Sequence, residues 1–303
     1  MDKYGLYPDF KVLEKISSFV EHEKIKLNSS YVSSLSGAYR SKYKSSGLIF
    51  DNVRRYQFGD DKRRIDWKAS ARTGKLYVKE FIEERNTELL LVLNNSSEML
   101  FASKHQFKSY ISLEVFTFLA SLALANKDYI RPYIFISESE DFYYSKTNMK
   151  ANILEIIAKV CSRKPSKNNE LSNLSLLKKL VRSDVINKNI FLILPIMYDF
   201  DDRYREVIKK LAISNQLNFI FVWDDLERNL PYLNNLEVRN INDPTGYLVT
   251  SNRISRQKYQ EIFDSKKEEI DEFLTKNQVN SFYINTKDNT LLQMAICNKV
   301  LSL

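Results

Sequence analysis

The chain has 303 residues, 44% of them hydrophobic and 13% aromatic, a composition that fits a folded globule with a large core and excludes a disordered tail. The formal net charge of +8 belongs to one segment, because residues 40–79 hold 12 basic and 4 acidic residues and the rest of the chain sums to zero. Cys161 and Cys297 stand in apolar stretches without metal-type spacing, which predicts reduced thiols in a reducing compartment.

The N-terminal stretch predicts a helix and no export signal. Apolar residues recur at helical spacing over Asp9–Glu23, which predicts an amphipathic helix. The first 16 residues lack the unbroken apolar run of a signal peptide. The longest apolar run, Tyr110–Ala125, is shorter than the about 20 residues of a membrane span and contains Glu114, so it predicts a buried helix. These patterns together predict a cytoplasmic protein.

The residue pattern of 24–85 predicts a small β-rich subdomain. Tyr39–Tyr43 and Leu76–Ile82 are rich in strand-forming residues. Glycines 37, 47, 59 and 74 mark places where the chain can turn. We therefore predict an N-terminal domain over residues 1–85 that carries the first helix, and a second domain over residues 86–303.

Within this subdomain, the 32 residues of Arg54–Arg85 carry 10 basic and 6 acidic side chains among aromatic and glycine positions. A solvated helix face would place such charges at helical spacing, but Gly59 and the pair Asp60–Asp61 interrupt the run. The pattern favours a shaped, self-paired polar module over an ordinary charged hairpin.

The segment reads R-x-Y-x-x-G-D-D-x-R-x-I-D-W-x-x-S-A-R-T-G-x-L-x-V-K-E-F-x-E-E-R. This string resembles the signature of the domain of unknown function fifty-eight, a von Willebrand factor A-like family usually found beside MoxR-type AAA+ ATPases. The resemblance extends downstream to Asp224–Pro231 and Asp243–Gly246. It implies an adaptor that works with such an ATPase, and a von Willebrand A-like fold.

The signature supplies the candidate partner-binding residues. They are Arg54, Arg55, Tyr56, Gly59, Asp60, Asp61, Arg64, Asp66, Trp67, Arg72, Glu84 and Arg85. Part of this set, namely Asp66, Arg72, Glu84 and Arg85 around Trp67, predicts a partly buried ion-pair network at the boundary between the domains.

After residue 86, short apolar runs of strand length alternate with helical patterns. Strands are predicted at Glu88–Asn94, Arg131–Ser137, Asn189–Leu194, Asn218–Trp223 and Ser281–Ile284. Helices are predicted at Phe107–Ala125, Met149–Val160, Leu171–Val181, Arg203–Ile213, Ser255–Leu274 and Thr290–Leu301. This alternation predicts an α/β fold with a doubly wound, mostly parallel sheet and helices on both faces.

In such a sheet, ligands sit at the carboxyl ends of the strands, so the residues after Leu93 are the natural place for a site. A von Willebrand A-like fold would hold a divalent metal there through a D-x-S-x-S motif. Here Asn94 replaces the aspartate, Ser96 fits, and Glu98 stands at the second serine. Because Mg²⁺ relies on anionic oxygen ligands, we predict a degenerate site without metal, in which Asn94 and Ser96 cap the following turn.

Signatures of enzymes are otherwise missing from the sequence. His22 and His105 are the only histidines and are too far apart in sequence to form a metal motif. The glycines form neither a dinucleotide-binding nor a P-loop motif. Adjacent acids such as Asp224–Asp225 more often cap backbone amides than perform acid–base catalysis. No catalytic residue and no cofactor is therefore predicted.

These observations favour a non-enzymatic interaction protein. Two alternatives remain: a nucleic-acid-binding module that uses the Arg40–Lys79 basic patch, and a metal-dependent ligand binder at Asn94–Glu98. The aspartates among the arginines would repel phosphate, so nucleic acid is the weaker fit.

Overall fold

The computed structural model of the protein describes residues 6–22, 48–83, 88–103, 106–162, 172–183, 185–231, 237–240, 243–249 and 253–287. Its contacts divide the chain into two compact units. We call residues 1–28 and 88–303 the α/β unit, and residues 29–87 the signature unit.

The elements in chain order are as follows. The helices are α1 (Phe10–His22), α2 (Trp67–Thr73), α3 (Lys108–Ala125), α4 (Lys150–Cys161), α5 (Ser172–Arg182), α6 (Asp202–Ser214) and α7 (Arg253–Lys276). The strands are β1 (Leu48–Arg55), β2 (Tyr77–Glu83), β3 (Glu88–Asn94), β4 (Tyr129–Phe135), β5 (Asp141–Tyr143), β6 (Asn189–Pro195), β7 (Gln216–Trp223), β8 (Glu237–Asn240), β9 (Asp243–Val249) and β10 (Asn280–Asn285).

The α/β unit is organised around a six-stranded sheet with the order β5-β4-β3-β6-β7-β10. Every neighbouring pair is parallel except β4 and β5, which pair antiparallel at one edge. The predicted α/β fold with a mostly parallel sheet is thus confirmed. β3 has the predicted bounds, and the other predicted strands are shifted by no more than two residues. The helix predicted at Thr290–Leu301 lies outside the described residues.

Side chains of β3 are buried on both faces of the sheet. Leu90 and Val92 belong to a hydrophobic core formed with residues of α5, α6 and α7. Leu89, Leu91 and Leu93 point to the opposite face because successive side chains of a strand alternate, and they are equally buried. Helix α3 packs across β3, β4, β6 and β7 and covers that second face.

Helix α3 is the central helix of the fold. Of the helices in the described ranges, it alone is long and apolar enough to cross a membrane, and 83% of it is buried inside the protein. This burial agrees with the prediction of a buried helix over Tyr110–Ala125.

Helix α1 packs against α3. Leu13, Ile16 and Val20 are buried, and the hydroxyls of Ser17 and Ser121 hydrogen-bond at 2.9 Å. This position corrects the predicted domain boundary: α1 belongs to the α/β unit, not to the N-terminal subdomain. Its apolar stripe requires cover, and α3 supplies it.

In the signature unit, β1 and β2 form an antiparallel hairpin with an irregularity at residues 50–52. The connection between them contains a 3₁₀ turn, Lys62–Arg64, and the short helix α2. Ile65 forms a β-bridge with Val78, and the amide of Asp66 donates to the carbonyl of Tyr77 at 2.8 Å. The predicted strand Leu76–Ile82 corresponds to β2, α2 was not predicted, and the predicted extended segment Tyr39–Tyr43 lies outside the described residues.

Candidate functional site

The strand order creates a switch point between β3 and β6. After β3 the chain adds β4 and β5 on one side, and then returns to add β6, β7 and β10 on the other. In open α/β sheets the crevice at the carboxyl ends of two such strands is the usual ligand position. Asn94 ends β3 and Pro195 ends β6, so these residues border that crevice.

Hydrogen-bonded neutral side-chain amides occupy this switch point. The Nδ2 of Asn94 donates to Oδ1 of Asn173 at 2.9 Å, and Nδ2 of Asn173 donates to the carbonyl of Pro195 at 3.1 Å. The Oδ1 of Asn94 accepts from the amide of Ser96 at 3.0 Å, which is the turn-capping role proposed for Asn94. Asn94 thus bonds within the protein through both ends of its amide.

Ser96 and Glu98 follow Asn94 in the loop after β3. The Ser96 hydroxyl is buried and has no hydrogen-bond partner in the described structure, so it does not cap the turn as predicted. Among the described residues, no group of three or more His, Cys, Asp and Glu side chains is arranged to hold a metal ion. The structure brings together a buried, amide-rich strand end and a partly exposed Glu98.

A carboxylate also follows β6. The hydroxyl of Tyr204 donates to both carboxylate oxygens of Asp199, at 2.9 and 3.0 Å. Burial raises the pKa of Tyr204, and the negative charges of Asp199 and Glu98 raise it further. Both acids therefore lie within electrostatic reach of the same phenol, and Tyr204 stays protonated as a donor to Asp199.

A second polar cluster at this edge centres on the loop after β7. Asp224 is 1% exposed and accepts from the Thr286 hydroxyl at 2.5 Å, from the amide of Leu226 at 3.0 Å and from the amide of Ser103 at 3.1 Å. Burial alone would raise the pKa of Asp224, but these hydrogen bonds outweigh it and hold the pKa below its ordinary value. Asp224 therefore joins the loops that follow β3, β7 and β10.

Glu227 completes this cluster. Its Oε2 accepts from the amide of Asp224 at 2.8 Å, which with the Asp224 side chain forms a capping box. Its Oε1 lies 2.5 Å from Nζ of Lys108, and the two side chains are only 11% and 3% exposed. We did not predict Lys108 or Glu227 as site residues. The Asp-x-x-Glu spacing of Asp224 and Glu227 could have indicated the capping box. Nothing in the sequence around Lys108 indicates that it pairs with Glu227.

In the signature unit, one ion pair closes a tight turn. Arg54 binds both carboxylate oxygens of Asp60, at 2.7 and 2.8 Å. The Oδ2 of Asp60 also accepts from the amide of Gln57 at 2.8 Å. Gly59 has φ +104°, a conformation that side chains rarely adopt, so glycine is required at this position of the turn.

The other two aspartates of the signature cap short helices. Asp61 accepts from the amide of Arg63 at 2.9 Å at the start of the 3₁₀ turn. Asp66 is the N-cap of α2 and accepts from the amide of Ala69 at 3.0 Å. At the other end of α2, Gly74 has φ +68° and forms the C-cap.

For its described members, the predicted ion-pair network around Trp67 is corrected. The Asp66 side chain bonds the Ala69 amide instead of an arginine, Arg72 is exposed, and Trp67 is 68% exposed. Glu84 and Arg85 lie outside the described residues. In short polar segments with few buried side chains, an aspartate accepts hydrogen bonds from backbone amides a few residues away. Such a cap needs no partner from a distant part of the chain.

Among the described residues of the signature unit, the exposed charged side chains are mostly basic, with Asp61 as the exposed acid, and two aromatic rings are exposed beside them. Arg55, Arg64 and Arg72 are exposed and Tyr56 is partly exposed. Phe58, at the tip of the clamped turn, is fully exposed. We did not predict Phe58 as a site residue, because its position in the sequence carries no periodic or motif signal.

Solved structures of similar chains have low identity to this one. "Conserved hypothetical protein BatB from Bacteroides thetaiotaomicron" is 15% identical, with 71% of this chain and 97% of that chain covered and a TM-score of 0.40. An aerotolerance-related membrane protein from Bacteroides fragilis is 15% identical, with coverages of 72% and 100% and a TM-score of 0.41. An uncharacterized membrane spanning protein from Vibrio fischeri is 11% identical, with coverages of 72% and 100% and a TM-score of 0.20.

The descriptions of two of these structures name membrane proteins, which contradicts the cytoplasmic location predicted from the sequence, so we do not retain that prediction. No curated protein matches the chain.

The family comparison covers most of the chain. The family described as "Protein of unknown function DUF58" matches residues 52–269, a range that includes most of the signature unit's described part and strands β3 to β9. The match begins within β1 and ends within α7. This chain therefore belongs to the family of proteins of unknown function DUF58.

Proposed function

We propose that this chain is a non-enzymatic protein-interaction adaptor that works with a MoxR-type AAA+ ATPase in the assembly or maturation of protein complexes. The proposal includes a von Willebrand factor A-like α/β unit. The strand order, with a single antiparallel edge strand, supports that finer reading of the fold. The resemblance of the signature to ATPase-associated proteins supports the choice of partner.

One contrast carries the proposal. At the carboxyl edge of the sheet, Asn94, Asp224 and Glu227 bond other groups of the protein. In the signature unit, by contrast, the arginines at positions 55, 64 and 72 are exposed. Side chains that face solvent with one sign of charge steer the approach of an oppositely charged partner and fix its orientation.

We call the exposed arginines at positions 55, 64 and 72 of the signature unit the docking surface, and the ion pair of Arg54 excludes Arg54 from it. Because Arg54 binds Asp60, its charge is partly neutralised and its role is to hold the turn. Arg55 and Arg64 are exposed, so they are the residues to reverse in a test of binding.

Direct binding of the purified full chain to the MoxR-type ATPase of the same organism tests the proposal. Biolayer interferometry should show binding that weakens as salt rises. The double variant Arg55→Glu with Arg64→Glu should lose at least about tenfold in affinity, mainly through a slower association rate. The matched control Lys178→Glu with Arg182→Glu reverses two exposed charges on α5 and should bind like the wild type.

Failure of the wild type to bind the ATPase would overturn the proposed partner. Undiminished binding of the arginine variant would move the contact to another surface, most simply the loops around Asn94 or Asp199. Circular dichroism of each variant establishes that the fold is retained.

A further inference from the structure

Phe58 is fully exposed in a turn whose conformation is fixed by hydrogen bonds. Single exposed apolar side chains are common on protein surfaces and need no explanation by themselves. Phe58, however, lies at the tip of a turn that several hydrogen bonds hold in one shape, so its exposure follows from the folded structure of that turn.

The turn is held from both of its sides. Arg54, on β1, grips both oxygens of Asp60 in a two-pronged ion pair. The amide of Asp60 donates to the carbonyl of Gln57 at 3.1 Å, and the amide of Gln57 donates back to the Asp60 carboxylate at 2.8 Å. The Arg54 hydrogen bonds, followed by that of Gln57, hold the pKa of Asp60 below its ordinary value, as expected of a carboxylate that stays ionised in this turn. We call this arrangement the Arg54–Asp60 clamp.

A clamped aromatic side chain is suited to binding. Ordering a flexible loop on association costs free energy, and a loop that already has its bound shape avoids much of that cost. Trp67 provides a second exposed aromatic ring on α2, whose two ends are capped by Asp66 and Gly74. Aromatic side chains at the centre of an interface commonly supply most of its binding energy.

We infer that Phe58, displayed by the Arg54–Asp60 clamp, is the anchor of the docking surface and inserts into an apolar pocket rimmed by acidic residues on a protein partner. The inference rests on the proposed function in identifying that partner as the ATPase. The exposed Arg55 and Arg64 lie three and six residues from Phe58 in the sequence and would supply the complementary charge.

The fixed shape of the turn favours a protein over a lipid bilayer as the partner. A fluid bilayer gains nothing from a turn locked in one shape, whereas a pocket of fixed shape does.

Affinity measurements with the purified full chain and the ATPase test the anchor. Phe58→Ala should weaken binding at least tenfold, and the matched control Ile213→Ala, which truncates an exposed side chain on α6, should leave it unchanged. The variant Asp60→Asn distinguishes the effect of the clamp on binding from the effect of net charge. It removes a negative charge, so attraction to an acidic partner alone would tighten binding, but loss of the clamp should weaken it several-fold. Tighter or equal binding of Asp60→Asn, or wild-type binding of Phe58→Ala, overturns the inference while leaving the proposed function standing.

A second experiment applies even if the ATPase does not bind. The photocrosslinker p-benzoylphenylalanine replaces Phe58 in the full chain, and crosslinking is performed in the native cells and on vesicles of phosphatidylcholine and phosphatidylglycerol at 3:1. A captured protein supports the inference only if, once identified and purified, it loses at least tenfold in affinity for Phe58→Ala. Crosslinking only to lipid or nucleic acid, or no crosslinking at all, overturns it.

Discussion

At the scale of single residues, the aspartates of the signature show how one residue type serves different local structures. Asp60 binds a guanidinium and a backbone amide, whereas Asp61 and Asp66 accept from amides at the starts of a 3₁₀ turn and of α2. Each carboxylate thereby meets a group that its own segment left unsatisfied. The acidic residues of this basic stretch define the shape of the loop, and the exposed arginines are left to face solvent.

Loss of the Asp66 cap should have a moderate cost. Asp66→Ala removes the acceptor for the Ala69 amide, and N-cap losses of this kind cost roughly 1 kcal/mol. The exposed Arg72→Ala should cost less than about 0.5 kcal/mol. Urea denaturation of both variants measures these two losses in the free energy of unfolding. A loss near 3 kcal/mol in both would restore the buried ion-pair network predicted from the sequence.

The buried pair of Lys108 and Glu227 should behave asymmetrically on mutation. Lys108→Met leaves the Glu227 carboxylate buried without its cation, which should cost roughly 3 kcal/mol. Adding Glu227→Gln removes that stranded charge while keeping an oxygen for the Asp224 amide, so the double variant should be more stable than Lys108→Met alone. Equilibrium unfolding of the wild type, of each single variant, Lys108→Met and Glu227→Gln, and of the double variant measures this. Simple addition of the two losses would show that the charges do not interact.

Asp224 should make the α/β unit sensitive to acid. Its folded-state pKa is depressed, so the stability it contributes is present above the pKa of the unfolded chain, about 3.9, and is lost as pH falls through the lower folded pKa. Asp224→Asn should therefore lower the melting temperature at pH 7 and flatten its decline below about pH 4. Calorimetry across this range tests the linkage, and parallel pH profiles for the two proteins would contradict it.

At the scale of secondary-structure elements, buried elements could be predicted from the sequence and polar ones could not. β3 is an unbroken apolar run because both faces of its strand are covered, and that run fixes its bounds. Helix α2 carries its signals only at the ends, in the N-cap Asp66 and the C-cap Gly74, and buries only Ser70. Strand β5 has three residues, too few to form a recognisable period.

The partners of elements were harder to predict than the elements themselves. The apolar stripe of α1 indicates that one face must be covered, but not that α3 covers it. The same limit applies to the candidate site. The loss of an aspartate at Asn94 is visible in the sequence, whereas the bond from Asn94 to Asn173, 79 residues away, requires the fold.

The loop after β3 should not respond to divalent metal. Asn94 supplies a neutral amide that already bonds Asn173 and Ser96, and Mg²⁺ gives up its water only to a site with enough negative charge. Millimolar Mg²⁺ or Mn²⁺ should leave the melting temperature unchanged within about 1 °C. A rise of several degrees that disappears in Glu98→Ala would identify Glu98 as a ligand and favour the metal-binding alternative.

At the scale of the whole molecule, the charge is unevenly distributed. The net +8 of the chain equals the excess within residues 40–79, so the rest of the protein is neutral on balance. Local charge of this density attracts any polyanion, and the choice between protein and nucleic acid depends on the charges that stand among the arginines.

Generic nucleic acid should bind weakly. Arg54 is paired with Asp60, and the exposed Asp61 would repel phosphates, so both features weaken contacts of this surface with a nucleic-acid backbone. We expect the dissociation constant for a fluorescein-labelled single-stranded RNA or duplex DNA of about 20 nucleotides to exceed roughly 10 µM at about 0.15 M salt, as measured by fluorescence anisotropy. The Arg55→Glu, Arg64→Glu variant serves as the control for residual charge attraction. Low-micromolar binding with a steep salt dependence, abolished in that variant, would instead assign the basic surface to nucleic acid.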